Sequence, residues 1–269
     1  QWSSSAASDV YKRQAYIEQG YNIIFGTTFG YLDAMAEMAE EYPDVIFLHC
    51  SGYLKNDTNF GNYFGKMYQP RYLSGLAAGA MTESNKIGYV AAFPIPEVIR
   101  GINAFATGVK EVNPDATVEV VWTFTWFGPE AETQAANALL ETGVDVLAQH
   151  QDSPSTGIAA EAAGAKWISY NTAYGQDAAP GAFVTAPVWD WGPYYVQVVE
   201  SIVNDEFVAE AYWGGMETGL VSLYELSSDV PADTATLISE RTEEIISGSF
   251  DPPIVEDEFI DNVIGTVNP

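Results

Sequence analysis

The side chains best suited to chemistry lie in a short stretch after an apolar run. His150, Asp152 and Ser153 occur within four residues, and a second aspartate, Asp190, lies between two tryptophans. A histidine near a hydroxyl could form a nucleophilic pair, and two carboxylates in one cleft could act as acid and base. The same carboxylates could instead accept hydrogen bonds from a ligand, cap helices or form turns.

The sequence motifs of the common enzyme classes are absent. No G-x-S-x-G, H-E-x-x-H or Walker loop occurs, and no G-x-G-x-x-G follows the first apolar run. The only histidines are His49 and His150, too few for a histidine-rich metal site. The single cysteine, Cys50, precludes an intrachain disulfide framework, and we expect it to be a buried core thiol. We therefore expect no catalytic residue, no metal and no cofactor.

The chain is strongly acidic, with 37 Asp and Glu against 10 Lys and Arg and a net charge of −27. This acidity reflects a scarcity of basic residues rather than an excess of carboxylates. Such a surface repels phosphate backbones, which excludes nucleic acid as a partner, and it disfavours docking on anionic membranes. It suits an extracytoplasmic or salt-exposed protein. The 47% of hydrophobic residues suffice for a core, and no apolar run approaches the length of a membrane span.

Short apolar runs alternate with helical patterns along the chain. Continuous apolar runs of this kind predict strands at 22–26, 45–50, 62–67, 86–93, 117–123, 144–149, 166–170 and 183–188. Apolar residues at helical spacing predict helices at 31–42, 73–80, 96–109, 130–141, 154–163, 192–204 and 232–247. Apolar strands interleaved with helices indicate parallel sheets covered on both faces.

Ligands of such sheets bind in the loops at the carboxyl ends of the strands. Aromatic and short polar residues recur in six of these loops, and none of the six contains lysine or arginine. We therefore expect an uncharged, flat, hydrogen-bonding ligand. The candidate stacking residues are Phe29 and Trp126, and the candidate polar residues are His150, Asp152, Asn171 and Asp190. The alternatives are core packing for the two aromatic residues, turn formation for Asn171, and capping of the next helix for Asp190.

The first fourteen residues, QWSSSAASDVYKRQ, match nothing later in the chain. Their sequence resembles the in-frame translation of a transposase sequencing adapter. We expect natural sequence from about Ala15 onward, starting within a domain, so the lack of a signal peptide carries no information about location.

Several longer segments resemble the basic membrane lipoprotein family, the substrate-binding proteins of purine and purine-nucleoside ABC importers. They are YNIIFGTTFGYLDAMAEMAEEYPD at 21–44, YLSGLAAGAM at 72–81, KIGYVAAFPIPEVIRGINAF at 86–105, GVDVLAQHQDSP at 143–154, VWDWGPYY at 188–195, YWGGMETGLVSL at 212–223 and EEIISGSFD at 243–251. The resemblance covers about residues 15–251, and it is strongest to the branch of purine-binding proteins that take adenine.

The resemblance implies an α/β fold of the two-lobed periplasmic-binding-protein type, type I, with parallel sheets flanked by helices. The family's first strand would precede residue 15 and is expected to be missing. Lobe one would comprise 15–83 with 188–217, and lobe two 84–187 with 218–251. Residues 252–269 match no family pattern and are expected to form a separate tail.

The resemblance also implies a function without chemistry. The chain would belong to an extracytoplasmic ABC-importer protein that captures a purine base, with adenine favoured, or a purine nucleoside by hinge closure. Its partners would be that ligand and a membrane permease, and it would be a monomeric periplasmic protein or cell-surface lipoprotein. The alternatives are a ligand-sensing module or a sugar-binding protein of the same fold. A purine-processing enzyme is disfavoured by the absent motifs.

Overall fold

A computed structural model describes residues 15–265, so the adapter-like segment 1–14 lies outside the described residues. The chain forms two compact units. Unit 1 contains the described residues up to Lys66 together with Trp191–Gly214, and unit 2 contains Met67–Asp190 together with the residues from Gly215 onward.

The units are built from the following elements. The strands are β1 (Ile23–Gly26), β2 (Ile46–Cys50), β3 (Phe60–Gly65), β4 (Lys86–Ala91), β5 (Thr117–Trp122), β6 (Val146–His150), β7 (Lys166–Ile168), β8 (Phe183–Thr185), β9 (Pro187–Trp189), β10 (Ala211–Gly214), β11 (Val221–Leu223) and β12 (Val263–Ile264). The helices are α1 (Leu32–Glu41), α2 (Tyr68–Met81), α3 (Pro96–Val112), α4 (Pro129–Glu141), α5 (Ser155–Ala163), α6 (Gly175–Ala178), α7 (Gly192–Val203) and α8 (Ala232–Ser247).

Unit 1 is built on a four-stranded sheet in the order β1-β2-β3-β10, with every neighbouring pair parallel. The amphipathic helix α1 buries Leu32, Met35 and Met38 in one cluster with Phe47 of β2 and Phe60 of β3. Cys50 is buried, as expected from its position at the end of an apolar run.

Unit 2 is built on a six-stranded parallel sheet in the order β12-β5-β4-β6-β7-β8, and β9 and β11 form a small antiparallel pair beside it. The predicted strand at 183–188 is in fact two strands in different sheets. Pro187 begins the second strand, where its missing N–H does not interrupt a sheet ladder. Both larger sheets are parallel and are flanked by helices, which confirms the predicted α/β class.

The helix α2 belongs to unit 2, whereas the sequence placed residues 67–83 in lobe one. The physical reason is its close packing on α3. A Cβ atom on Gly75 would collide with the Phe105 carbonyl oxygen, and one on Gly108 would collide with the Tyr72 carbonyl oxygen. Glycine at these two positions therefore lets the two helix backbones approach each other directly. The unit boundaries also differ at 188–190 and 215–217, which lie in unit 2.

Residues 252–265 form an integral part of unit 2 and not a separate tail, which corrects the expectation for the described part of this segment. Strand β12 pairs with β5 at the edge of the sheet, and Phe259 stacks on Trp122 with ring centroids 6.3 Å apart. The buried amide of Asn103 donates to the carbonyl oxygens of Val255 and Glu258, both at 2.8 Å, and accepts from the Ile260 N–H. Because β12 has only two residues, the side chains of α3 hold this segment in place.

Substitution of Asn103 tests that anchoring. Asn103→Ala removes three hydrogen bonds and leaves the main-chain groups of residues 255–260 without partners, so we expect the free energy of unfolding to fall by about 2–4 kcal/mol. Urea denaturation measures it. The control is Lys110→Ala, because Lys110 contacts the same segment through an exposed ion pair with Asp261. This substitution should lower the free energy of unfolding by much less. Equal effects of the two substitutions would contradict an anchoring role for Asn103.

Candidate ligand site

The parallel sheet of unit 2 brings four of the predicted residues to one edge. Trp126 follows β5, His150 ends β6, Asp152 lies in the loop after β6, and Asn171 lies in the loop after β7. All three strands run in the same direction, so their carboxyl ends share one edge of the sheet.

Asp152 and Asn171 are joined directly by a hydrogen bond. The Asn171 side-chain nitrogen donates to one carboxylate oxygen of Asp152 at 2.7 Å. Asn171 has a left-handed backbone with φ of 70°, which asparagine tolerates better than most residues. The Asp152 N–H donates to the Trp126 carbonyl oxygen at 3.0 Å. The three loops are therefore linked to one another through Asp152.

His150 lies in the middle of an aromatic group. Its side chain is only 3% exposed, and its ring centroid is 4.6 Å from that of Tyr170 and 6.0 Å from that of Trp126. Trp126 also contacts Phe93, with 5.2 Å between centroids. The His150 Nε2 lies 3.4 Å from a carboxylate oxygen of Glu97, near the start of α3. The imidazole is therefore in contact with two aromatic rings and close to one carboxylate.

Burial shifts the ionisation of His150 and Asp152 in ways that favour their neutral forms. Desolvation lowers the pKa of His150 below its usual 6.5; the contact with Glu97 opposes this shift, and the Arg71 cation adds to it. Desolvation also raises the pKa of Asp152, and the hydrogen bond from Asn171 partly offsets the rise. Asp152 nonetheless stands at the surface of the unit, where a ligand can reach it.

A cavity of about 230 Å³ opens beside Asp152. It lies between the loops after β6 and β7 and is smaller than the roughly 300–1,000 Å³ of sites for drug-sized ligands, so it suits a compact ring molecule. Its lining residues are mostly polar or aromatic: Gln149, Gln151, Asp152, Ser153, Pro154, Trp167, Ser169, Tyr170, Thr172, Tyr174 and Gly175. Of the described residues that line it, none is lysine or arginine.

Of the six predicted residues, Asp152 is the one that lines this cavity. Asp190 and Phe29 lie outside the group of four described above. Asp190 follows β9, and its N–H donates to the Leu220 carbonyl oxygen at 2.9 Å. Asp190 is connected to Asn171 through its neighbour in the chain, because the N–H of the preceding Trp189 donates to the Asn171 carbonyl oxygen at 3.3 Å. Phe29 lies in unit 1, half-buried in a single 3₁₀ turn after β1, whereas the other five predicted residues belong to unit 2.

The loop-based prediction missed three residues of unit 2 that touch the site. Tyr170 contacts His150 and lines the cavity, Glu97 faces His150, and Arg71 lies over the Tyr170 ring. Glu97 and Arg71 come from helices rather than from loops at the carboxyl ends of strands. The sequence feature that could have indicated Arg71 is its position as a single arginine directly before the apolar run YLSGLAAGAM.

Unit 1 carries its own aromatic group, which the prediction also missed. The Tyr63 ring stacks on Tyr194 at 4.7 Å, and its hydroxyl lies 3.2 Å from that of Tyr195. The Trp191 and Tyr195 rings are nearly parallel, with 19° between their planes, and Phe25 lies 4.7 Å from Tyr195. The segment VWDWGPYY supplies three of these rings, and the sequence identified only its aspartate as a candidate.

Two α/β units are each built on a parallel sheet, and hydrogen-bonding and aromatic side chains lie on the loops that follow the strands. These features define the class of solute-binding proteins. A solved ABC transporter solute-binding protein from Conexibacter woesei superposes with a TM-score of 0.71 over 94% of this chain and 93% of its own, at 21% identity, which establishes the shared fold. Residues 2–251 match the family described as ABC transporter substrate-binding protein PnrA-like. The chain belongs to this Bmp family, which confirms the resemblance and the expectation of a non-enzymatic protein.

Two relatives carry different ligand names. The putative ABC transporter glucose-binding protein TsgA13 of Haloferax volcanii is 45% identical over 88% of this chain, and the purine-binding protein BAB2_0673 of Brucella abortus is 37% identical over 87%. The chain spans 60% and 66%, respectively, of the length of these relatives. Among residues 15–265, no helix combines the length and apolar character that crossing a bilayer requires.

The depressed pKa of His150 predicts a pH-dependent stability. Below pH 6.5 the unfolded chain takes up a proton at this position that the folded chain resists, so the free energy of unfolding should fall on acidification. Between pH 7.5 and 5.5 the loss attributable to His150 should reach up to about 1.4 kcal/mol. Denaturation of the wild type and of His150→Asn across this range measures the difference in slope. An imidazole NMR signal of His150 that titrates at or above pH 6.5 would contradict the assignment.

Proposed function

We propose that this chain is the ligand-binding part of an ABC importer protein that captures a neutral purine, with adenine favoured, or a purine nucleoside. The observation that carries the proposal is the carboxylate of Asp152, which accepts a hydrogen bond from Asn171 and lines a compact cavity with aromatic walls and no basic lining residue. The purine-binding name of one relative supports it.

The charge of the site favours an uncharged ligand. A phosphate or carboxylate entering beside Asp152 would lose its hydration without gaining a basic partner from the cavity wall, which is costly. A neutral purine base or nucleoside avoids that penalty. Nucleotides and phosphosugars are therefore the ligands that the site disfavours most strongly.

The hydrogen-bonding groups complement an amino-substituted ring. Asp152 has a second carboxylate oxygen that can accept from an exocyclic amine, and the Asn171 amide offers both donor and acceptor capacity. The side-chain oxygen of Gln151, also in the wall, is buried and has no hydrogen-bond partner among the described residues. A ligand rich in donors would satisfy acceptors that the protein leaves open.

Trp126 is the proposed stacking residue of this unit. Its ring is half-buried and tilted by 57° against Phe93 and by 51° against His150, so its neighbours hold it at a defined angle. Stacking of a base on an aromatic side chain contributes about 1–3 kcal/mol in nucleic-acid sites.

A hexose is the second candidate ligand, and two observations favour it. The relative with 45% identity is named as glucose-binding, and Ser169 and Thr172 add hydroxyl groups to the cavity wall. A compact polar cavity with one carboxylate also suits a sugar. The aromatic side chains of the cavity wall favour the purine.

The proposed partners follow from the family. Delivery of the ligand to a membrane permease places the protein outside the cytoplasm, where its −27 charge is compatible with exposure to salt. The same proposal makes the whole protein either a periplasmic protein or a cell-surface lipoprotein.

Titration calorimetry tests the ligand class. We expect adenine or a purine nucleoside to bind at micromolar affinity or better, about −8 kcal/mol or stronger, and adenosine monophosphate to bind far more weakly. Affinity should change little between low and high salt, because no ion pair with the ligand forms. Parallel titrations use adenine, guanosine, adenosine monophosphate and glucose. Tight binding of glucose with no purine response would assign the protein to the sugar class, and a preference for the nucleotide would overturn the charge argument.

Replacement of Trp126 tests the stacking role. Trp126→Ala should weaken adenine binding by about 1–3 kcal/mol while changing the unfolding free energy of the ligand-free protein little. The matched control is Phe127→Ala, because Phe127 is the next residue and its ring is 64% exposed. Loss of stability with unchanged affinity would identify Trp126 as a core residue instead.

A further inference from the structure

A fully buried cation lies behind the loops of the candidate site. Arg71, in the first turn of α2, is 0% exposed, and no other lysine or arginine of the described residues is buried. No carboxylate among those residues lies within ion-pair distance of its guanidinium. Burying a charge without a counter-ion is expensive, so a role that only this side chain can perform must offset the cost.

The guanidinium joins the ends of two neighbouring strands. One terminal nitrogen donates to the Gln149 carbonyl oxygen at 2.7 Å, and the guanidinium carbon lies 3.9 Å from the centroid of the Tyr170 ring. Gln149 lies in β6 directly before His150, and Tyr170 directly precedes Asn171. Arg71 therefore contacts one residue close to the loop that carries Asp152 and the residue directly before Asn171.

Arg71 also faces His150. A Cβ atom built on Gly101 would lie 3.7 Å from Arg71 Nε and 3.9 Å from His150 Nδ1, so both nitrogens flank the same point of α3. Neither nitrogen has a hydrogen-bond partner among the described residues. The other titratable or charged groups around the imidazole are Glu97 and Arg100 from α3 and Tyr170 from the loop after β7.

We propose that Arg71 is a positioning residue for the ligand site. Its guanidinium fixes the ends of β6 and β7 in the arrangement that presents Asp152, Tyr170 and Asn171 to the ligand. Its positive charge also adds to the effect of burial, which is the main reason that the pKa of His150 is lowered. The inference rests on the proposed function, because it assigns Arg71 a part in binding the same ligand. Lysine cannot replace it, since an ammonium neither stacks flat on a ring nor presents a planar fork of donors.

Two substitutions separate charge from geometry. Arg71→Met removes the charge and the fork, whereas Arg71→Lys keeps only the charge. Arg241→Met is the matched control, because Arg241 also lies over an aromatic ring, that of Phe250 at 4.9 Å, but makes its ion pairs with Glu111 and Glu244 away from the cavity. The measurements are adenine affinity by calorimetry at pH 8.0 and 5.5, and the titration of the His150 imidazole by NMR.

We expect Arg71→Met to weaken adenine binding at least tenfold at pH 8.0. The loss should be larger at pH 5.5, because removal of the neighbouring cation raises the pKa of His150 while Glu97 remains. Arg71→Lys should lose a similar affinity at pH 8.0 but keep the wild-type titration of His150. Arg241→Met should leave both the affinity and the titration unchanged.

Wild-type adenine affinity in both Arg71 variants would overturn the positioning role, and an unchanged His150 titration in Arg71→Met would overturn the proposed electrostatic effect of Arg71 on His150. If Arg71→Met does not fold, Arg71→Lys decides the question through its affinity at pH 8.0. If the wild-type protein binds neither adenine nor a purine nucleoside, the proposed function fails. The His150 titration in the Arg71 variants then still shows whether Arg71 affects the ionisation of His150.

Discussion

The common direction of the strands in the larger sheet is the constraint on which the rest of unit 2 depends. β5, β4, β6 and β7 pair in parallel, so four loops leave the sheet at one edge whatever their own sequences are. The main-chain hydrogen bonds between the strands determine the position of that edge, and the side chains in the loops then form the site there. The contact between Asp152 and Asn171 follows, because β6 and β7 are neighbours and their loops meet.

The distribution of charge follows a second rule. The exposed surface is rich in carboxylates, yet the cavity beside Asp152 has no basic lining residue among those described, and the nearby cation is sealed in the protein interior. A site arranged in this way can distinguish ligands by hydrogen bonds and shape rather than by attraction of opposite charges. Family membership places this chain among substrate-binding proteins, for which selective capture is the task.

Much of this architecture was predictable from the sequence because it depends on local patterns. Apolar runs such as 86–93 and 144–149 predict β4 and β6 within a few residues. The ends of β5, β6 and β7 then place Trp126, His150, Asp152 and Asn171 at one edge of the sheet. Long-range packing was not predictable in this way. Arg71 reaches the site from a helix, and β12 is too short to show a period of its own, so its pairing with β5 depends on Asn103 about 160 residues earlier.

Unit 1 is composed of two separate stretches of chain, and this affects when its sheet can form during synthesis. Residues 15–66 are synthesised before the other stretch of unit 1, and β10, which pairs with β3, is synthesised only after the whole of 67–190. The strands from β4 to β8 lie in one unbroken stretch and can pair as soon as they appear. Until Trp191–Gly214 arrives, the newly made β3 keeps an open edge, and this interval is when a chaperone would be most useful.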